Sequence, residues 1–224
     1  MFCFNCCTKL KDKTKYCPKC GESMIGAYTN SDYTDFEANY IRNNNISLPE
    51  IEMVRIEHSN ITISVEPITQ EQYEAVMENN PSFEKNSYAP VDSISWWEAI
   101  KFCNRLSILK NKSPVYKRDG ENNLFIDFNA NGYRLPTLYE RRITCEFANL
   151  PHDSNMWEWV CNIPKDNDKS SDDKENHCNF RNTVGYQPNG FVTFGCFQAK
   201  KRKKSLGFRI VCQLYPGVPK DYKE

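Results

Sequence analysis

The chain has 224 residues, of which 39% are hydrophobic, 13% aromatic and 26% charged, and 29 Lys and Arg balance 29 Asp and Glu. That length fits one ordinary domain with a small appendage, or two small domains. Zero net charge disfavours a dedicated nucleic-acid binder, which carries a broad basic excess, and no apolar run approaches the roughly 20 residues that span a bilayer. The aromatic content excludes a wholly disordered chain. Asparagine, the commonest residue, predicts turns and irregular loops. The first residues, MFCFNCCTKLKDK, lack the apolar stretch of a signal peptide, so a cytoplasmic protein without membrane insertion is expected.

Cys3-Phe-Asn-Cys6 and Cys17-Pro-Lys-Cys20 are two C-x2-C knuckles. Each places two thiolates on one tight turn, and two knuckles facing each other supply the four tetrahedral sulfur ligands of a structural zinc. The spacing predicts a zinc ribbon over residues 1–24, held through Cys3, Cys6, Cys17 and Cys20. So short a segment has no core of its own, and the metal must supply most of its folding free energy. Lys9, Lys11, Lys13 and Lys15 alternate along it and read as a solvated face. The odd total of eleven cysteines argues against a disulfide framework, and the six scattered from Cys103 to Cys212 read mostly as small buried apolar residues.

Residues 25–47 read as a linker with a short helix from about Tyr33 to Ile41. The stretch 51–65 alternates as one or two strands. Thr69-x-x-Gln72, Ser95-x-x-Glu98 and Thr137-x-x-Glu140 are capping boxes that open three helices. The second carries an apolar stripe of Trp96, Ala99, Ile100, Cys103 and Leu106. Val115–Lys117 and Leu124–Phe128 read as strands around an Asp119-Gly120 turn. Trp157–Cys161, Phe191–Phe197 and Phe208–Leu214 follow as short strands. The fold class expected is α+β with long loops.

In order, ITQEQYEAVMENNPSF, PVDSISWWEAIKFCNRLS, PVYKRDGENNLFIDFNANGYRLPT, NMWEWVCN and SLGFRIVC resemble the sulfatase-modifying-factor (formylglycine-generating enzyme) family over residues 51–213. GYRLPT and the WEW…GFR pair are the most specific marks. The resemblance implies an irregular variant of the C-type-lectin-like fold over residues 48–215, with 216–224 a tail. It also implies a structural calcium near Glu158, whereas the residues themselves read as a Glu bonded to backbone amides or Arg209. Arg134 and Arg209 read as buried structural arginines paired to carboxylate or carbonyl.

The departures bear on function. The family's enzymes use two cysteines, shortly after an Arg-Gly-Gly-Ser strand, that bind copper and activate oxygen. Here the matching stretch is HCNFRNTVGYQPNG, and the pair would fall near Thr183 and Pro188. Cys178 and Cys196 do not match its spacing, and without two convergent thiolates there is no soft copper(I) site. The three histidines, His58, His152 and His177, are scattered and do not make the three-His site of the iron-dependent relatives. After GYRLPT the family places a large aromatic in the helix; here it is Arg141.

A non-enzymatic binding protein is therefore expected, on a C-type-lectin-like scaffold with the ribbon attaching a protein partner or surface ligand. In relatives that are targets of diversity-generating retroelements, the ligand face is built between the WEW and GFR strands. That window gives Asn179, Arg181, Asn182, Tyr186, Gln187, Asn189 and Phe191 as candidate ligand-binding residues. Lys201, Arg202 and Lys203 join them from the basic run Lys200–Lys204, which otherwise reads as a solvated loop. The alternatives are an oxidase acting on protein cysteines and a ribbon-centred adaptor contacting nucleic acid.

Overall fold

Three short helices begin where the sequence places hydroxyl caps. Helix α1 (Gln70–Met77) starts at Thr69, whose hydroxyl accepts from the Gln72 amide while the Gln72 side chain accepts from the Thr69 amide. Helix α2 (Trp96–Leu109) repeats the exchange between Ser95 and Glu98. Helix α3 (Leu138–Phe147) repeats it between Thr137 and Glu140. Each cap contributes about 1 kcal/mol. The computed structural model describes Pro18 and residues 48–57, 59–118, 124–147, 150, 156–162, 180–186 and 192–219. The expected zinc ribbon, the Tyr33–Ile41 helix, the Asp119-Gly120 turn and the three histidines lie outside the described residues, as do Asn179, Gln187, Asn189 and Phe191.

The strands form two four-stranded sheets and a hairpin. In the first sheet the order is β1 (Met53–Arg55), β2 (Ile61–Ser64), β10 (Val211–Gln213), β5 (Tyr133–Arg134), all antiparallel. Strands β3 (Tyr116–Arg118) and β4 (Leu124–Ile126) pair antiparallel, as the sequence predicts. The second sheet has the order β8 (Val192–Gln198), β7 (Phe180–Tyr186), β6 (Trp157–Trp159), β9 (Leu206–Phe208); β6 and β9 are parallel and the other pairs antiparallel. The single C-terminal strand expected over Phe208–Leu214 is thus two, split at Arg209 and Ile210, where the chain passes from one sheet to the other. The window between the WEW and GFR strands holds the two longest described strands: β8, expected over Phe191–Phe197, and β7, where no strand was expected.

The main core lies where α1 and α2 meet the second sheet. The whole expected stripe of α2 is buried, and Phe102 and Ile108 bury a further side of the same helix. Tyr73 of α1 stacks on Phe102, ring centres 5.6 Å apart, and Phe208 meets both rings edge-on. Trp96 donates its indole N–H to the Val160 carbonyl and Trp159 donates to that of Ile94, so the two deepest indoles tie α2 to β6. Burial of each such ring stabilises the fold by about 1.5–3 kcal/mol. Cys103, Cys161 and Cys212 are buried as expected, but Cys145 is half-buried and Cys196 is exposed.

Candidate functional site

The second sheet has two differently used faces, because successive strand residues point to opposite sides. On one side Glu158 of β6 projects toward α3. Arg141 of α3 clasps it with two bonds, Nε to Oε2 at 2.7 Å and an Nη to Oε1 at 3.0 Å. Arg209, at the crossing between sheets, donates from Nε to Oε1 at 3.0 Å and from an Nη to the Ser64 and Val65 carbonyls. All three side chains are buried. Burial alone would raise the Glu158 carboxyl, but the charges of Arg141 and Arg209 outweigh it and hold it at about 2. The Arg141 guanidinium also lies over the Tyr186 ring at 5.1 Å and donates to the Thr144 hydroxyl.

This arrangement does not fit the calcium that the family resemblance places at Glu158. Calcium takes six to eight oxygens, usually with several carboxylates among them. Here both oxygens of one carboxylate are engaged by two cations, and a further dication would meet their combined charge. Among the described residues no three His, Cys, Asp or Glu side chains converge on a metal-sized site.

The candidate ligand residues of β7 require a correction. Arg181, Asn182 and Tyr186 are interior. Strand β7 is central, bonded to β6 on one edge and β8 on the other, and both faces are covered. The Arg181 guanidinium stands over the Trp96 ring, 4.3 Å from its centre, and over that of Trp97 at 5.7 Å, and it donates to the Phe180 carbonyl. Tyr186 packs with Val160 and Val184, and its hydroxyl sits 2.6 Å from the Cys145 sulfur. Trp157 lies so close across Gly185 and Gly195 that a Cβ on Gly195 would stand 2.7 Å from its ring and 2.9 Å from the Thr183 hydroxyl. These polar side chains build the sheet from within.

Thr183, where the resemblance would put one of the copper-binding cysteines, is wholly buried, and its hydroxyl has no hydrogen-bond partner among the described residues. A hydroxyl is a hard donor and does not replace a thiolate for copper(I). Among the described cysteines, Cys103 of α2 and Cys161 after β6 share the main core, while Cys145 comes from α3, Cys196 from β8 and Cys212 from β10. Burial pushes the Cys103 thiol well above its ordinary range, which keeps it protonated. The described residues therefore do not fit the family's copper centre. A cleft of about 360 Å³ opens beside β2, β10 and α3. On its floor Arg134 binds Glu140 through two 2.7 Å bonds and donates to Gln213, so its charged groups are already satisfied.

The basic run is exposed, as expected, on the turn between β8 and β9. Arg202 reaches back to grip Glu98, at the start of α2, with two bonds of 2.9 and 2.7 Å. These bonds and Ser95 hold the Glu98 carboxyl below its ordinary value in spite of its burial. Lys203 stands over the Phe197 ring at 5.4 Å, and Lys201 is exposed to solvent. Sequence reasoning passed over two features. Arg141 stood out only as a departure from the family; its legible signal was a cation on the buried face of a helix preceding the WEW strand. The exposed aromatics of the loop before α2, Phe83 and Tyr88, carried no signal, because an isolated loop aromatic does not reveal its exposure.

The profile of a family described as sulfatase-modifying factor enzyme 1-like domain matches residues 25–188. A curated relative described as chaperone protein LppX, from Paenibacillus barcinonensis, is 33% identical over 118 residues, covering 42% of this chain and 42% of that one. The chain thus spans about two fifths of that relative's length. Two solved structures share the fold. Treponema denticola variable protein 1 gives a TM-score of 0.53 at 18% identity, over 75% of this chain and 93% of its own. CarF gives 0.51 at 16% identity, over 75% and 94%.

Proposed function

The chain belongs to the sulfatase-modifying factor enzyme 1-like domain family, and from that premise we propose that it binds a protein partner without chemically modifying it. The observation that carries the reading is the state of β7. Near Thr183, where the resemblance puts one of the enzymes' two copper-binding thiolates, this chain has a closed strand built on Arg181, Thr183 and Tyr186. Exposed side chains lie on the edge strand β8 and on the loops around that sheet, and such loops are the usual seat of recognition on a rigid scaffold. The relative described as a chaperone protein agrees with binding to polypeptide.

In this reading Cys3, Cys6, Cys17 and Cys20 hold one structural zinc, and the ribbon attaches the scaffold to its partner. Thiolate ligands and the unbridged thiols of Cys103, Cys145 and Cys212 suit a reducing compartment, and the cytoplasm is the compartment we assign. No described helix is long and apolar enough to cross a membrane.

The test is affinity capture from the native cell with the full chain, followed by reconstitution with the purified partner. A stoichiometric complex that releases partner with unchanged covalent mass supports the reading. Its loss on Cys17→Ser with Cys20→Ser assigns attachment to the ribbon. A partner that leaves with a changed cysteine, or failure of every captured protein to reconstitute, overturns it.

A further inference from the structure

Phe83 and Tyr88 are 71% and 85% exposed, yet the loop that carries them is firmly braced. Buried Gln70 donates from its side chain to the Glu84 carbonyl, and its Oε1 accepts from the Asn86 amide and the Asn80 side chain. The Phe83 amide donates to Asp92, and the Asp92 amide donates to the Ser82 hydroxyl. Backbone bonds run from Gln70 to Ala89 and from Glu71 to Ser87. Two large apolar side chains held in water by so many bonds do not serve the core. Aromatics fixed before binding lose little freedom on contact and are the residues that dominate interfaces.

The basic turn lies against this loop. Lys204 bonds Glu84 at 2.5 Å and stands over the Phe83 ring at 4.7 Å. The Ser93 amide donates to the Lys203 carbonyl. Ser93 and Ser205 both take left-handed backbone angles, φ 59° and 67°, at the points where the two loops turn. The turn of five consecutive cations thus meets, at Lys204 and Phe83, the loop that carries the two exposed aromatics. Among the described residues Glu84 and Glu98 answer only two of those charges, through Lys204 and Arg202.

We propose that this surface, made by Phe83, Tyr88, Lys201, Lys203 and Lys204, docks an acidic polypeptide segment that carries apolar side chains. The proposal rests on the binding reading above and names its partner's chemistry. Charge complementarity selects the acidic partner, and the aromatics select one with apolar groups between its carboxylates. A nucleic acid is the poorer fit. The cations form one short turn rather than a track along a phosphate backbone.

The experiment is fluorescence anisotropy with the full chain and three labelled probes: a peptide alternating Glu with Phe and Leu, the same peptide with Gln for Glu, and a single-stranded oligodeoxynucleotide of equal charge. The acidic peptide should bind, more weakly as salt rises, and the Gln peptide at least tenfold more weakly. Phe83→Ala with Tyr88→Ala, and separately Lys203→Glu with Lys204→Glu, should each weaken the acidic peptide at least tenfold. All of these side chains are exposed or half in solvent, so the thermal midpoint should stay within a few degrees. No binding, equal binding of the Gln peptide, variants that bind like the parent, or an oligonucleotide that binds more tightly each overturns the proposal. If the native partner is captured equally well by both variants, this surface is refuted while the binding reading stands.

Discussion

Glu158 shows how one residue's surroundings decide its role. A carboxylate beside a helix and a strand crossing could hold a cation, but Arg141 and Arg209 supply two from within the chain. Removing the shared anion leaves two buried guanidiniums facing each other, whereas removing one arginine still leaves a matched pair. Glu158→Gln should therefore destabilise the protein by about 3–5 kcal/mol, and Arg141→Leu by less. Denaturant unfolding of both variants checks the order, and a Glu158→Gln loss below about 1 kcal/mol would contradict it. Added millimolar calcium should leave the thermal midpoint of the parent unchanged; a rise would show that the oxygens around Glu158 accept the ion after all.

At the level of elements, β7 is the part that sequence reading mistook. Arg-Asn-Thr followed by a Pro-Asn-Gly stretch looks like a polar loop, and strand patterns are recognised by apolar alternation. The strand is hidden because two of its polar side chains find partners in the interior: Arg181 against the faces of two indoles, Tyr186 against Arg141 and Cys145. Those partners are distant in sequence, so no local rule reveals them. The helices were legible because a capping box is local, and the α2 stripe because its partners are all apolar. Arg134 and Arg209 were legible as buried arginines, although Glu158 was open to two readings until Arg141 was seen beside it. It follows that Arg181→Ala with Tyr186→Ala should cost at least about 3 kcal/mol, as loss of a buried aromatic alone does. Retention of the parental midpoint in that double variant would put these side chains back on the surface. Gly195→Ala should cost about 1–3 kcal/mol by overpacking Trp157 and Thr183, read from the same unfolding curves.

Across the whole molecule, buried titratable groups set the pH range of stability. The Glu158 carboxyl falls from an ordinary 4.5 to about 2 in the fold, so its contribution is complete above about pH 4.5 and is lost as pH falls toward 2. Burial raises the phenols of Tyr73, Tyr116 and Tyr186 above their ordinary 10.0, so their contribution is complete below about pH 10 and declines above it. Stability measured against pH should show a plateau between those limits. A maximum confined to acid would contradict the account.

In the function proposed here the family scaffold serves binding without the redox chemistry of the family's enzymes. The most direct measurement incubates the copper-loaded full chain with a cysteine peptide under oxygen and follows the peptide by mass spectrometry and aldehyde labelling. The account predicts an unchanged cysteine and no labelled aldehyde; conversion of the cysteine to an aldehyde by this chain would contradict it.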